Sequence, residues 1–240
     1  MNEPAKFWML IPWGRVGSNL LLNNLKQIVG PDDCSLINEN LSVTQSVKTQ
    51  LSWVREFYAQ QTPLALIGCK QNIRSVAAPR RLSSLLENLG IALIRLRREN
   101  YVKVAISQLR AELYAKRSVA RFGVAKWGVR NGREPLESAP LDARRFLKGV
   151  GLAKHTDGLL ARFTPDVPTL DLEYRQLQTG SDQVAADVCQ WLGLAVSRPA
   201  TPAFVKATPD NLEDAVPNLR ELREALSRST LRELAHMFDD

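Results

Sequence analysis

The chain has 240 residues, 45% hydrophobic and 24% charged, a globular composition that excludes disordered and fibrous classes. Its net charge of +7 is concentrated in one zone: Arg95 to Arg133 holds eleven Lys/Arg against Glu99 and Glu112, a local +9 that leaves −2 for the rest. Cys34, Cys69 and Cys189 lie far apart and only His155 and His236 are present, which excludes a disulfide frame, a zinc site and a histidine-rich metal centre.

No stretch approaches about 18 consecutive apolar residues, and the first six residues lack a basic region leading into an apolar run. A membrane span and a secretory signal are therefore not expected, and the cysteines read as reduced core residues of a cytoplasmic protein. One basic zone on a balanced chain points to an anionic partner: nucleic acid, an anionic membrane or a phosphorylated small molecule. No nucleic-acid-binding signature is visible. A solvated basic helix face is the plain alternative.

In chain order, Phe7 to Pro12 is an apolar run of buried-strand type. Leu20, Leu21, Leu22, Leu25, Ile28 and Val29 then supply a helical face, with Ser18 as expected N-cap. Cys34 to Ile37 reads as a second strand, Val43 to Gln60 as a helix, Leu64 to Gly68 as a third strand, and Pro79 to Asn88 as a helix ended by Gly90. Ile91 to Leu96 is a fourth strand. Val102, Ala105, Ile106, Leu109 and Leu113 follow at helical spacing, and Thr169 to Leu172 is a late strand. A last stripe, Val184, Val188, Trp191 and Leu192, closes at Gly193. Short, continuously apolar strands alternating with helices predict an α/β fold, a central parallel sheet flanked by helices in a single domain spanning 1–240. Residues 122–140, rich in Gly, Arg and Pro, read as a mobile loop, and 199–240 as a C-terminal docking segment.

The turn after the first strand reads Pro12-Trp13-Gly14-Arg15-Val16-Gly17-Ser18-Asn19. Ligands of parallel α/β sheets bind at such strand ends, where glycines admit an anion to the backbone and a helix start offers free N–H groups. Arg15 adds a planar cationic fork and Ser18 a hydroxyl. A tight turn is the plain alternative. The loop is not a Walker A motif, because only Arg15 and Val16 separate Gly14 from Gly17 and no lysine follows. A second anion site is suggested by Arg98 at the fourth strand's end and Ser107 on the next helix; a surface arginine and a back-bonding serine are the alternative.

Together these elements resemble the sulfotransferases that use 3′-phosphoadenosine 5′-phosphosulfate (PAPS). The G-R-V-G-S-N-L-L run at Gly14–Leu21 looks like their 5′-phosphosulfate loop, usually R-x-G-S-T in the bacterial carbohydrate branch. The R-R-E-N-Y-V-K-V-A-I-S run at Arg97–Ser107 looks like their 3′-phosphate motif. The L-D-L-E-Y-R-Q-L segment from Leu170, closing with W-L-G-L at Leu194, is similar to the family's late strand and helix; Lys206 to Leu222 echoes its C-terminal segment more weakly. Asn19 stands where the family usually has Thr, and Arg175 where it often has Glu. The Arg-to-Ser spacing is one longer than the commonest pattern, which leaves Arg97 and Arg98 as alternatives.

The resemblance implies a P-loop-like sulfotransferase architecture and PAPS as co-substrate, with no metal. Gly14, Arg15, Val16, Gly17, Ser18 and Asn19 would cradle its phosphosulfate, and Arg98 and Ser107 its 3′-phosphate. Arg15 would stabilise charge on the leaving phosphate and Glu39, just past the second strand, would be the base, with His155 its rival and an exposed loop acid the plain alternative. Lys70 and Lys103 are secondary anion ligands or solvated lysines. The acceptor would be a hydroxyl of a carbohydrate, glycolipid or other small molecule, with Trp53, Trp127 and Tyr114 as stacking candidates or core aromatics. A non-catalytic nucleotide or polyanion binder and a P-loop-like phosphotransferase are the alternatives.

Overall fold

A computed structural model describes residues 3–59, 64–123, 136–196, 199–200 and 211–239. They group into two compact units, Met1–Arg97 with Thr156–Pro202, and Arg98–His155 with Ala203–Asp240.

The first unit is built on five parallel strands, β1 (Ala5–Ile11), β2 (Cys34–Asn38), β3 (Leu66–Asn72), β4 (Ala92–Arg97) and β5 (Thr169–Glu173), in the order β2-β3-β1-β4-β5. Alternate residues of a strand point to opposite faces, and β1 shows it. Phe7, Met9 and Ile11 pack with Leu21, Leu25 and Ile28 of α1 (Ser18–Val29) and with Leu177 and Val188 of α6 (Tyr174–Trp191). Trp8 and Leu10 face the other way, onto Val54 and Phe57 of α2 (Val47–Tyr58) and Leu82 and Leu86 of α3 (Pro79–Asn88). The expected parallel sheet flanked by helices is thus what forms.

Strand order locates the crevice. From β1 the chain crosses to β2 on one side, whereas β3 leads across to β4 on the other. The carboxyl end of β1 is therefore the topological switch point, where open α/β sheets hold their ligands.

The second unit packs α4 (Tyr101–Phe122), the first part of α5 (Ala143–Ala161), α7 (Leu219–Ser227) and a 3₁₀ segment (Arg232–Phe238) around Val102, Ile106, Phe146, Val150, Leu222 and Leu226. Much of the loop expected over 122–140 lies outside the described residues, as do 201–210 of the docking segment.

Two local expectations change, and one helix had no counterpart among them. β3 continues past Gly68 to Asn72, because Lys70 and Gln71 are buried with the strand, 3% and 0% exposed. The helix α5 carries no signal strong enough for the sequence reading: Gly149, Gly151, Gly158 and Asp157 interrupt its apolar pattern, although Phe146, Val150, Ala153 and Leu160 are buried at helical spacing. Ser18 is not the N-cap of α1. Gly17 takes that place at φ 81°, a left-handed conformation that suits glycine, and Ser18 becomes the first helical residue.

Candidate functional site

The loop from Pro12 to Gly17 leaves β1 at the switch point and feeds α1 directly. Two of its residues are left-handed, Arg15 at φ 71° and Gly17 at φ 81°. For a non-glycine residue that conformation costs about 1–2 kcal/mol, and such strain concentrates at ligand clamps. Gly17 is also pinned from outside. A Cβ there would lie 2.9 Å from Leu177 Cδ1 and 3.0 Å from Tyr174 Cδ2, so the first turn of α6 lies on the loop.

Arg15 is partly buried. Burial pushes its guanidinium below the ordinary value, and Tyr174 opposes that shift. A poorly hydrated cation in this position attracts an anion more strongly than a solvated one. Beyond it, α1 begins with no side-chain cap and no acidic residue in its first turn. Helix geometry leaves the N–H groups of Ser18, Asn19 and Leu20 without intrahelical acceptors, at the positive end of the dipole. Ser18 is 6% exposed and Asn19 is exposed.

Glu39 follows β2 by one residue, in a left-handed conformation at φ 50°. Its N–H donates to the carbonyl of Lys70 at 2.8 Å, extending the β2–β3 ladder by a step, and its Oε1 lies 2.6 Å from Lys70 Nζ. Lys70 Nζ also donates to Asn19 Oδ1 at 3.1 Å, and the same oxygen accepts from Asn38 Nδ2 at 3.3 Å. The structure thus joins two of the sequence-derived candidates, Asn19 and Glu39, through a lysine that the sequence reading ranked as secondary. Lys70 lies opposite Met9 in the β1–β3 register, and its side chain is 4% exposed. A lone lysine inside a buried apolar strand was the available signal, since such a charge persists only when paired.

The turn carrying Glu39 is held by two buried amides. Gln71 accepts from Leu41 N–H at 2.9 Å and donates to Leu41 C=O at 3.1 Å. Gln50 donates to the carbonyls of Ser42 and Ser75 and accepts from Ala77 N–H. The ends of β2 and β3 are fixed together in this way, a rigid support for the carboxylate.

At the end of β4, Arg97 makes a two-pronged ion pair with Asp157, Nε–Oδ1 2.7 Å and Nη2–Oδ2 2.5 Å. In the second unit, Arg98 and Ser107 are both buried, 8% and 4% exposed, and Asn100 caps α4 by accepting from Lys103 N–H at 2.7 Å. His155 is exposed on α5, and Lys103 and Tyr114 are partly buried on α4. Trp53 stacks on Phe57 with centroids 5.1 Å apart, as a member of the aromatic cluster around Trp8. Trp127 lies outside the described residues.

No protein-family model and no curated protein matches the chain. Among solved structures it is similar to a sulfotransferase from Alicyclobacillus acidocaldarius, at 13% identity and a TM-score of 0.47 over 98% of this chain and 97% of that one. It is also similar to the sulfotransferase domain of the Synechococcus PCC 7002 olefin synthase, at 14% identity and a TM-score of 0.45 over 100% and 96% of the two chains. A third similar structure is the sulfotransferase domain from the curacin biosynthetic pathway, at 14% identity and a TM-score of 0.46 over 99% and 97%.

Proposed function

We propose that this chain is a PAPS-dependent sulfotransferase that moves a sulfuryl group onto a hydroxyl of a carbohydrate, glycolipid or other small acceptor. The observation that carries this reading is the loop Gly14–Asn19 at the switch point. Its motif resembles the family's phosphosulfate loop, and it brings a poorly hydrated arginine and an uncapped helix start to one strand end. The neighbouring Glu39 supplies a carboxylate on a rigid turn.

In this reading the acceptor oxygen attacks sulfur, the bond from sulfur to the phosphate oxygen breaks, and the acceptor proton passes to the Glu39 carboxylate. Arg15 and the N–H groups at Ser18 and Asn19 meet the negative charge that grows on the leaving phosphate. The resemblance assigns the 3′-phosphate, the group that distinguishes this donor from ATP, to Arg98 and Ser107. Among the described residues no helix is long and apolar enough to cross a membrane.

Calorimetry with 3′-phosphoadenosine 5′-phosphate (PAP) against ATP tests the proposal. Micromolar binding of PAP, at least about tenfold tighter than ATP and lost in Arg98→Ala, is expected, since one lost charged contact is worth about 1.5–3 kcal/mol. Preference for ATP, or no nucleotide binding, overturns it. PAP binding without sulfuryl transfer to any acceptor in a labelled-donor screen would make the chain a non-catalytic binder.

A further inference from the structure

Lys70 is a single buried cation with two claimants. Its ammonium touches the Glu39 carboxylate at 2.6 Å and Asn19 Oδ1 at 3.1 Å, and Asn19 is the second residue of α1. An anion drawn to the first turn of α1 arrives beside the same ammonium. Glu39 is also the residue that needs an unencumbered carboxylate to accept a proton. While Oε1 is engaged by the ammonium at 2.6 Å, that oxygen is not open to the proton of an acceptor hydroxyl. The two requirements oppose each other at one nitrogen.

We infer that Lys70 is a shared cation that couples donor binding to the release of Glu39: the anionic donor draws the ammonium from the carboxylate, so the base becomes competent only once the donor is seated. The inference rests on the donor reading above and adds an order to it, donor before chemistry. Two features support the exchange. The Lys70 stem is held in β3, so the ammonium moves on its own side-chain torsions while the strand stays fixed. Glu39 is the exposed partner, its side chain 47% accessible against 4% for Lys70, so the released carboxylate is rehydrated at little cost while the lysine never loses an anion. Asn19 holds the ammonium through the exchange with a neutral oxygen, which does not compete with a phosphate.

Linkage makes the coupling reciprocal: if the donor weakens the Glu39–Lys70 pair, then the pair weakens the donor. Glu39→Gln keeps the shape and removes the competing charge. It should therefore bind PAP more tightly than the wild type, by roughly two- to fivefold, the range of a partly exposed ion pair. In a Lys70→Met background, which keeps the apolar stem, the same substitution should leave PAP affinity within about twofold. Calorimetry on the four proteins reads both effects, and Lys70→Gln serves as the second background should Lys70→Met fail to fold. Equal or weaker PAP binding by Glu39→Gln overturns the inference while leaving the donor reading intact. Equal tightening in both backgrounds overturns it too, by making the effect a distant one of charge. Absence of PAP binding in every form overturns the donor reading and this inference together.

Discussion

Arg97 and Asp157 are sixty residues apart in sequence, yet their side chains form parallel charge-assisted bonds of 2.7 and 2.5 Å. The Asp157 side chain is 6% exposed and that of Arg97 33%. This two-pronged pair, with its carboxylate buried, ties the end of β4 to α5 and engages the Arg97 fork. Of the two adjacent arginines, Arg97 has this structural task, and the donor reading proposed above assigns the 3′-phosphate to Arg98.

Lysine substitutions separate the two. Arg97→Lys keeps one charge but loses one prong of the pair, so it should cost about 1–2 kcal/mol in urea denaturation while PAP affinity stays within about twofold. Arg98→Lys should weaken PAP about tenfold, because a fork on a phosphate is replaced by a point charge. A reversal of these two affinity effects would return the phosphate to Arg97.

Phe7 and Gly68 are register partners on β1 and β3, and the Phe7 ring lies across the glycine. A Cβ at residue 68 would fall 2.1 Å from Phe7 Cε1 and 2.2 Å from Cζ. Phe7 is fully buried in the core, so its ring can yield only by displacing its neighbours. Gly68→Ala should therefore destabilise the protein by about 3 kcal/mol, the upper end of overpacking costs. Adding Phe7→Leu should recover part of that loss. An unchanged denaturation midpoint for the single variant would show that the ring can shift.

Much of this fold is legible locally. The strands β1, β3 and β4 are buried on both faces and so read as apolar runs, and α3 carries its own punctuation in Pro79 and Gly90. The loop Gly14–Asn19 is legible for the same reason, as a glycine turn between an apolar strand and an amphipathic helix. What stayed hidden depends on distant partners. Lys70 is acceptable in a buried strand only because Asn19 and Glu39 meet it, and Arg97 because Asp157 does. No window along the chain contains those pairs. The helix α5 was hidden by its glycines and by Asp157, which pairs with Arg97 sixty residues away.

The buried thiols make stability depend on alkaline pH. Burial pushes Cys69 from 9.0 up to about 12 and Cys189 up to about 11, and it raises the Tyr58 phenol, which donates to the Phe7 carbonyl. Each group is neutral when folded and ionises earlier when unfolded. Between pH about 9 and 12 the unfolded chain therefore binds fewer protons, so the stability is complete below pH 9 and falls as pH rises. Cys69 alone should contribute a slope of about 1.4 kcal/mol per pH unit in that window. Cys69→Ala should lower the protein's stability at pH 8 and also flatten its decline towards pH 10.5, measured by urea denaturation. An unaltered slope would remove Cys69 from the account.

Gly17 combines a left-handed φ of 81° with contacts that leave no room for a methyl group. Gly17→Ala should cost about 1–2 kcal/mol from the backbone alone, and a displaced loop should weaken PAP at least about tenfold. If the variant binds PAP as the wild type does, the loop is not the donor cradle.

Arg15 holds a left-handed φ of 71° that its side chain does not favour. Glycine tolerates that conformation and alanine does not, so Arg15→Gly should be more stable than Arg15→Ala by about 1 kcal/mol. The same comparison tests whether the strain serves the reaction. In the proposed reaction both variants lack the cation assigned to the leaving phosphate, so both should lose about a hundredfold or more in turnover, whatever their stability. Because that charge grows in the transition state, PAP affinity should fall by much less than turnover. Thermal denaturation, calorimetry and labelled-sulfate transfer on the two variants give the three quantities. Equal losses of PAP affinity and turnover would make Arg15 a ground-state ligand, and an Arg15→Gly protein no more stable than Arg15→Ala would show that the loop carries no strain at this residue.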